Sequence, residues 1–283
     1  PMSMPTHVVH GRHDGPVMFV SAAVHGDEIN GVEIIRRLLN VPQIKRLRGT
    51  LLAVPIVNVF GFHNRSRYLP DRRDLNRSFP GHESGSLAAR LGHVFLSEIV
   101  PRADLGIDLH TAAIHRNNLP QIRADLNVPL LEPLAKAFSA PVLLHSAAPP
   151  GSLRGAAAEI GVPVMVYEAG EALRFEEVSI QIGLRGILNV LRRLSMLPES
   201  RRKQSRPCAV LRSSSWQRAP QSGILRAQAA LGSMVNKGDT LGVVADPTGE
   251  GDVPMPAPFD GVVIGRTNLP LVFEGEALFH IGR

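Results

Sequence analysis

From residue 17 to about residue 197, strand-like apolar runs alternate with stretches of helical periodicity. Residues 17–20 and 51–58 read as buried strands, and 103–110 and 162–167 as shorter ones. Between them, Ile29, Val32, Ile34, Ile35, Leu38 and Leu39 recur at helix-like spacing, and 87–100, 131–138 and 178–194 read as further helices. This alternation constrains the chain to an α/β layer fold, a mostly parallel or mixed sheet flanked by helices. Ligands of such sheets gather beyond the carboxyl ends of the strands, so residues that follow a strand matter most.

The pattern changes at 198–207, a basic stretch containing Ser and Pro that reads as a linker. Beyond it the helical period vanishes, and 223–283 consists of short β segments broken by glycines. The expected division is an α/β domain over 1–197, a linker over 198–207 and a small all-β domain over 208–283. The last resembles the barrel-sandwich hybrid fold of biotinyl and lipoyl domains, which are modified on a lysine at a hairpin tip. Here 246–256 contains no lysine, and Lys237 falls one hairpin too early. A structural β-domain is therefore expected rather than a carrier.

Composition narrows the function classes. The formal net charge is +6, yet only four of the 31 basic residues are lysine (Lys45, Lys136, Lys203, Lys237) and the rest are arginine. The arginines are scattered, apart from Arg201-Arg202-Lys203, and no DNA- or RNA-binding motif accompanies them, so no nucleic-acid partner is expected. Some should instead select acidic small molecules, because guanidinium pairs with carboxylate in a two-pronged geometry. No apolar run reaches membrane-span length, and residues 1–5 lack a signal-peptide pattern, so no membrane partner is expected. The single cysteine, Cys208, excludes an internal disulfide and suits a reducing compartment; the cytoplasm is the expected location. The first strand begins soon after Pro1, so a natural segment preceding it is expected to be missing. A homo-oligomer is compatible with this composition.

The chemistry begins at Val24-His25-Gly26-Asp27-Glu28, between the first strand and the first helix. An imidazole and a carboxylate three residues apart there can converge on one cation, as in zinc sites with mixed N/O ligands. His110, in Asp108-Leu109-His110-Thr111 at a second strand end, is the best third ligand. Asp108, two residues earlier, can hold that imidazole in one tautomer and raise its basicity. Two imidazoles and one carboxylate leave a position for water, the composition of a catalytic zinc site. The loop 61–85 is too long for a plain connector. Its Asp74-Leu75-Asn76-Arg77 sets an amide beside a guanidinium, a natural clamp for a carboxylate.

His25-Gly26-Asp27-Glu28, Arg67-Tyr68, Asp74-Leu75-Asn76-Arg77, Asp108-Leu109-His110 and Glu168-Ala169-Gly170 occur in the order seen in the succinylglutamate desuccinylase/aspartoacylase family. That family is a deacylase branch of the zinc-carboxypeptidase-like hydrolases, and the resemblance covers nearly the whole chain. It looks closest to the bacterial predicted-deacylase branch. The resemblance implies one Zn2+ per chain on His25, Glu28 and His110. It implies Glu168 as the general base that takes a proton from water and passes it to the departing amine. It further implies Arg67 polarising the scissile carbonyl, Asn76 and Arg77 holding a substrate carboxylate, and a small N-acyl amino acid as substrate. No arginine aligns with the one that reads an acidic side chain in aspartoacylase-like members, Arg154 being the nearest candidate, and no C-terminal tyrosine is present. A metallo-carboxypeptidase acting on short peptides, or a non-catalytic zinc-binding protein, stays open at this point.

Overall fold

The structure, a computed structural model, describes residues 2–199, 208–246, 248 and 251–283. The chain enters through β1 (His7–His10) and β2 (Val17–Ala22), crosses over in α1 (Asn30–Asn40) and returns as β3 (Thr50–Val54). Pro55 has no N–H to give a ladder, so the apolar run 51–58 is a strand only to Val54. Asn58 instead caps α2 (Val59–Asn64), its side chain accepting from the Gly61 N–H. Next come α3 (Leu87–Glu98), β4 (Leu105–Ala112) and, after a short turn, β5 (Arg116–Ala124). Then α4 (Leu131–Phe138), β6 (Val142–His145), α5 (Leu153–Glu159), β7 (Val164–Glu171) and α6 (Glu177–Arg193) complete the α/β part.

These strands lie in the order β1-β3-β2-β4-β7-β5. β3, β2, β4 and β7 run parallel, and the flanking β1 and β5 run antiparallel, so the sheet is mixed as expected. Alternation along β2 explains its continuous apolar run. Met18, Val20 and Ala22 pack with Ile34, Ile35 and Leu38 of α1, together with α4 and α6. Phe19 points to the other layer, edge-on to Phe95 of α3 at 5.8 Å between ring centroids. Strands covered on both faces lose the polar alternation that marks half-exposed ones. Gly106 of β4 lies beneath the Phe19 ring, where a Cβ would come within 2.1 Å of it.

The C-terminal residues form β8 (Ala209–Leu211), β9 (Ser214–Arg218), β10 (Gly223–Ala227), β11 (Met234–Val235), β12 (Thr240–Ala245), β13 (Asp252–Pro256), β14 (Gly261–Thr267), β15 (Leu271–Val272) and β16 (Ala277–Gly282). β13, β12, β10 and β15 make a separate four-stranded antiparallel sheet. β14, β16 and β9 instead continue the large sheet outward from β5. β8 adds parallel to β6, which lies beside the second half of β5. The β region has its own apolar core, including Leu241, Val244, Met255, Leu278 and Phe279. Most of the expected linker, 200–207, lies outside the described residues. Among the described residues, no helix is long and apolar enough to cross a membrane.

Candidate metal centre and active site

The site forms at the carboxyl ends of β2, β4 and β7. Immediately after β2, the buried Ala23 adopts a left-handed φ of 51°, a conformation that costs a non-glycine residue energy and turns the chain sharply. Gly26 then passes directly against the backbone of Gly61, where a Cβ would lie 2.0 Å from the carbonyl carbon. The Glu28 N–H donates to the His25 carbonyl at 3.1 Å, so both side chains leave one tight turn just ahead of α1.

His110 arrives from β4. Its Nδ1 lies 2.7 Å from Glu28 Oε2, while His25 Nδ1 lies 2.7 Å from Glu28 Oε1. The ligand atoms of all three residues fall within 4.8 Å of one another, and the rings meet edge to face with centroids 5.0 Å apart. His25, Glu28 and His110 are all buried. Both outer ring nitrogens face carboxylates. His110 Nε2 is 2.6 Å from Asp108 Oδ2, and His25 Nε2 is 3.1 Å from Asp74 Oδ1. Asp108 is itself fixed by the Ser21 hydroxyl, which donates to Oδ1 at 2.7 Å, and the Thr111 N–H donates to Glu28 Oε2 at 3.1 Å.

This donor set fits a divalent cation. With each Nε2–H given to an outer carboxylate, both Nδ1 lone pairs are left facing the shared Glu28 carboxylate. Three carboxylates (Glu28, Asp74, Asp108) and the Arg67 guanidinium stand around the two imidazoles, and burial together with the Glu28 charge pushes the neighbouring Asp27 carboxyl up. This excess of acidic groups suits a divalent ion, and two imidazoles with one carboxylate suit zinc. Without an ion the imbalance falls on the histidines. Burial opposes charge on His110, yet Asp108 and Glu28 hold it well above its ordinary value. Burial likewise opposes charge on Glu28, and the two histidines hold it below the usual carboxylate range.

Arg67 bridges this centre and the long loop. Its Nε and Nη2 donate to Asp74 Oδ2 at 3.1 and 2.9 Å, and its Nη1 to Glu28 Oε1 at 3.3 Å. Asp74 caps the short 3-10 turn Leu75–Arg77 through the Asn76 N–H, which sets Asn76 and Arg77 on the cavity wall. The Asn76 Oδ1 accepts from the Leu153 N–H at 2.9 Å, leaving its NH2 group free of that bond, and Arg77 Nη1 donates to the Asn76 carbonyl at 2.6 Å.

Glu168 lies on β7 in register with His110 on the neighbouring parallel strand. Its Oε2 accepts from Asn118 Nδ2 at 2.7 Å and its Oε1 lies 3.3 Å from Arg123 Nη1, so both oxygens are oriented. The expected residues therefore line one cavity of about 260 Å³, with His25, Glu28, Arg67, Asn76, Arg77, Asp108, His110 and Glu168 all on its wall. Sequence reasoning missed Asp74 as the partner of His25 and Asn118 and Arg123 as partners of Glu168. Asp74 stands within one of the ordered motifs, whereas the other two give no signal. Trp216 of β9 also lines the cavity, bringing the C-terminal strands to the site.

The chain matches the family model described as the succinylglutamate desuccinylase/aspartoacylase catalytic domain over residues 14–194. It is 27% identical over 281 residues to the N-alpha-acetyl-L-2,4-diaminobutyric acid deacetylase of Halomonas elongata, covering 94% of this chain and 82% of that protein. It superposes with a TM-score of 0.87 on a succinylglutamate desuccinylase/aspartoacylase from Rhodobacter sphaeroides, at 26% identity over 99% of this chain and 89% of that one. The product-bound ectoine utilization protein EutE (DoeB) from Ruegeria pomeroyi gives 0.89 at 27% identity, over 99% of this chain and 88% of that one.

Proposed function

The chain belongs to the succinylglutamate desuccinylase/aspartoacylase family of deacylases, and from that premise we propose that it is a zinc-dependent amidohydrolase removing the acyl group from a small N-acyl amino acid. The observation that carries this reading is the buried His25–Glu28–His110 cluster with its outer carboxylates, facing Glu168 across one small cavity. Bound there, zinc would supply Lewis acidity and lower the pKa of water towards about 7.

The chain's own residues do the rest. Asn76 and Arg77 receive the α-carboxylate of the substrate, the amide NH2 and the guanidinium offering adjacent donors. Arg67 donates to the scissile carbonyl oxygen as negative charge develops on it. Glu168, steadied by Asn118 and Arg123, accepts a proton from the attacking water and delivers it to the leaving amine. Asp74 and Asp108 hold the histidine tautomers, so Nδ1 of each stays an acceptor.

The deacylase and carboxypeptidase readings share this machinery but differ in substrate size. The modest cavity, walled on one side by Trp216, supports the smaller substrate. We also assign 1–197 as the catalytic domain, 198–207 as linker and 208–283 as the β-domain, and the cytoplasm as location on the strength of the single cysteine. A panel of N-acyl amino acids and short peptides, read by released amine with and without a chelator, tests the function. Chelator-sensitive release from acyl amino acids is expected; turnover of peptides alone would refute the proposal.

A further inference from the structure

Arginines that are scattered along the sequence gather in space. At the amino ends of β2 and β3, opposite the His25–Glu28–His110 cluster, three adjoining hollows of about 210, 360 and 310 Å³ share Arg46 and Pro198 on their walls. Their permanently charged cations are Arg12, Lys45, Arg46, Arg48 and Arg192, against a single carboxylate, Glu199. Among the described residues, Arg12, Lys45, Arg46 and Arg48 have neither an ion pair nor a side-chain hydrogen bond. Arg192 reaches only the Asn189 amide oxygen, at 3.0 Å.

Four segments bring these charges together. Arg12 stands in the β1–β2 turn, Lys45 and Arg46 in the 3-10 turn Pro42–Arg46 after α1, Arg48 on the approach to β3, and Arg192 in the last turn of α6. The Arg48 N–H donates to the Met196 carbonyl at 2.9 Å, the Gly49 N–H to the His13 carbonyl at 2.9 Å, and the Gly11 N–H to the Gly49 carbonyl at 2.8 Å. Gly49 permits this seam: its φ is +72°, and a Cβ would lie 2.1 Å from the Pro16 carbonyl oxygen. Beneath it Ile44, Leu47, Met196 and Leu197 are buried in the main core, so the charged rim rests on a fixed floor. A cation at a helix C-terminus complements the dipole, which accounts for Arg192. The other four repel one another and Arg192 across the same hollows, a cost that a bound anion relieves.

Four of the five cations are guanidinium forks, which match the oxygens of phosphate. Hollows that share walls suit several linked phosphates better than one. Apart from the His13 imidazole no aromatic ring lines them, so nucleobases have no stacking platform, and no large exposed apolar side chain stands there to enter a bilayer. We infer that this basic surface is a binding site for a compact ligand carrying two or more linked phosphates. α6 starts at the carboxyl end of β7 and finishes in the patch, and its 17 residues span about 25 Å, so such a ligand touches none of the proposed catalytic residues. The site is independent of the deacylase reading.

Calorimetric titration of the full chain with orthophosphate, pyrophosphate and tripolyphosphate at low salt tests this. Affinity should rise in that order, and tripolyphosphate binding should weaken steeply as salt is added. The double substitution Arg46→Glu/Arg48→Glu should weaken tripolyphosphate at least about 10-fold, the range of lost charge-assisted hydrogen bonds. Arg90→Glu/Arg212→Glu, which changes the net charge equally at exposed positions on α3 and after β8, should bind as wild type does. Circular dichroism checks folding, and Arg46→Gln/Arg48→Gln, which should also weaken binding, serves if the charge reversal does not fold. Tripolyphosphate binding that survives both patch variants but is lost in Arg77→Met would place the anion in the catalytic cavity and overturn the inference. Equal affinity for orthophosphate and tripolyphosphate would overturn it as well. So would tighter binding of oligodeoxythymidylate, or co-sedimentation with phosphatidylserine vesicles, abolished by the same substitutions, which would assign the patch to nucleic acid or to a membrane surface instead.

Discussion

Replacing Asp74 by asparagine attacks the proposed metal centre without touching a proposed ligand. The Asp74 carboxylate meets four donors: His25 Nε2 at 3.1 Å and the Asn76 N–H at 2.8 Å on Oδ1, and Arg67 Nε and Nη2 at 3.1 and 2.9 Å on Oδ2. Asparagine keeps the shape but retains one acceptor oxygen. If that oxygen stays on the His25 side, the amide NH2 faces the Arg67 guanidinium, donor against donor. If it turns to Arg67, the NH2 faces His25 Nε2 and favours the tautomer with its proton on Nδ1, the nitrogen a metal needs. Loss of such an orienting partner lowers metal affinity about 10- to 100-fold, or about 1.4 to 2.7 kcal/mol. Competition for zinc against a chromophoric chelator at fixed pH measures this directly, with circular dichroism as a check on folding. Asp108→Asn should behave alike on the His110 side. An Asp74→Asn protein that folds and holds zinc within twofold of wild type would refute the reasoning.

Glu168→Gln should retain near-equimolar zinc by elemental analysis while hydrolysis of its best acyl amino acid falls by roughly 10²- to 10⁴-fold, the worth of general acid–base transfer. Gly26→Ala should be destabilised by at least about 1 to 3 kcal/mol in a urea melt, because the new methyl meets the Gly61 backbone rather than a yielding side chain. His280 carries a pH signature: burial and then the Arg123 charge push its imidazole down to about 3 in the folded protein. The unfolded chain, titrating near 6.5, binds more protons between those values, so this contribution is whole above pH 6.5 and lost as pH falls towards 3. Urea midpoints should thus show His280→Asn losing about 2 kcal/mol less than wild type between about pH 7 and pH 5; equal losses would count against the shift.

The parts of this fold that a reader of the sequence can see are those where packing alone chooses the residue. β2 and β4 are covered on both faces and read as largely apolar runs, and α1 shows its buried stripe plainly. His25, Glu28 and His110 are legible because each sits in or beside such a strand. β5 is not legible, for a physical reason. Arg116 and Asn118 are polar because they face the cavity, Asn117 gives its amide to Glu176, and Pro120 interrupts the strand where its register with β7 shifts. The strand that carries two partners of Glu168, Asn118 and Arg123, is thus disguised by its task. Asp74 fails differently: a loop carboxylate gives no hint of a histidine 49 residues away. Trp216, on a short strand among serines, declares itself only when β16 brings it to the cavity.

The forked neighbourhood of β5 bears on any attempt to make a smaller enzyme. Its first half is hydrogen-bonded to β14 and its second half to β6, which in turn is closed by β8. A chain cut before Cys208 would strip β14 and β8 together, leaving two raw strand edges whose free N–H and C=O groups invite pairing with other chains. Such a fragment should gather into aggregates rather than persist as a minimal hydrolase, even with every proposed ligand intact.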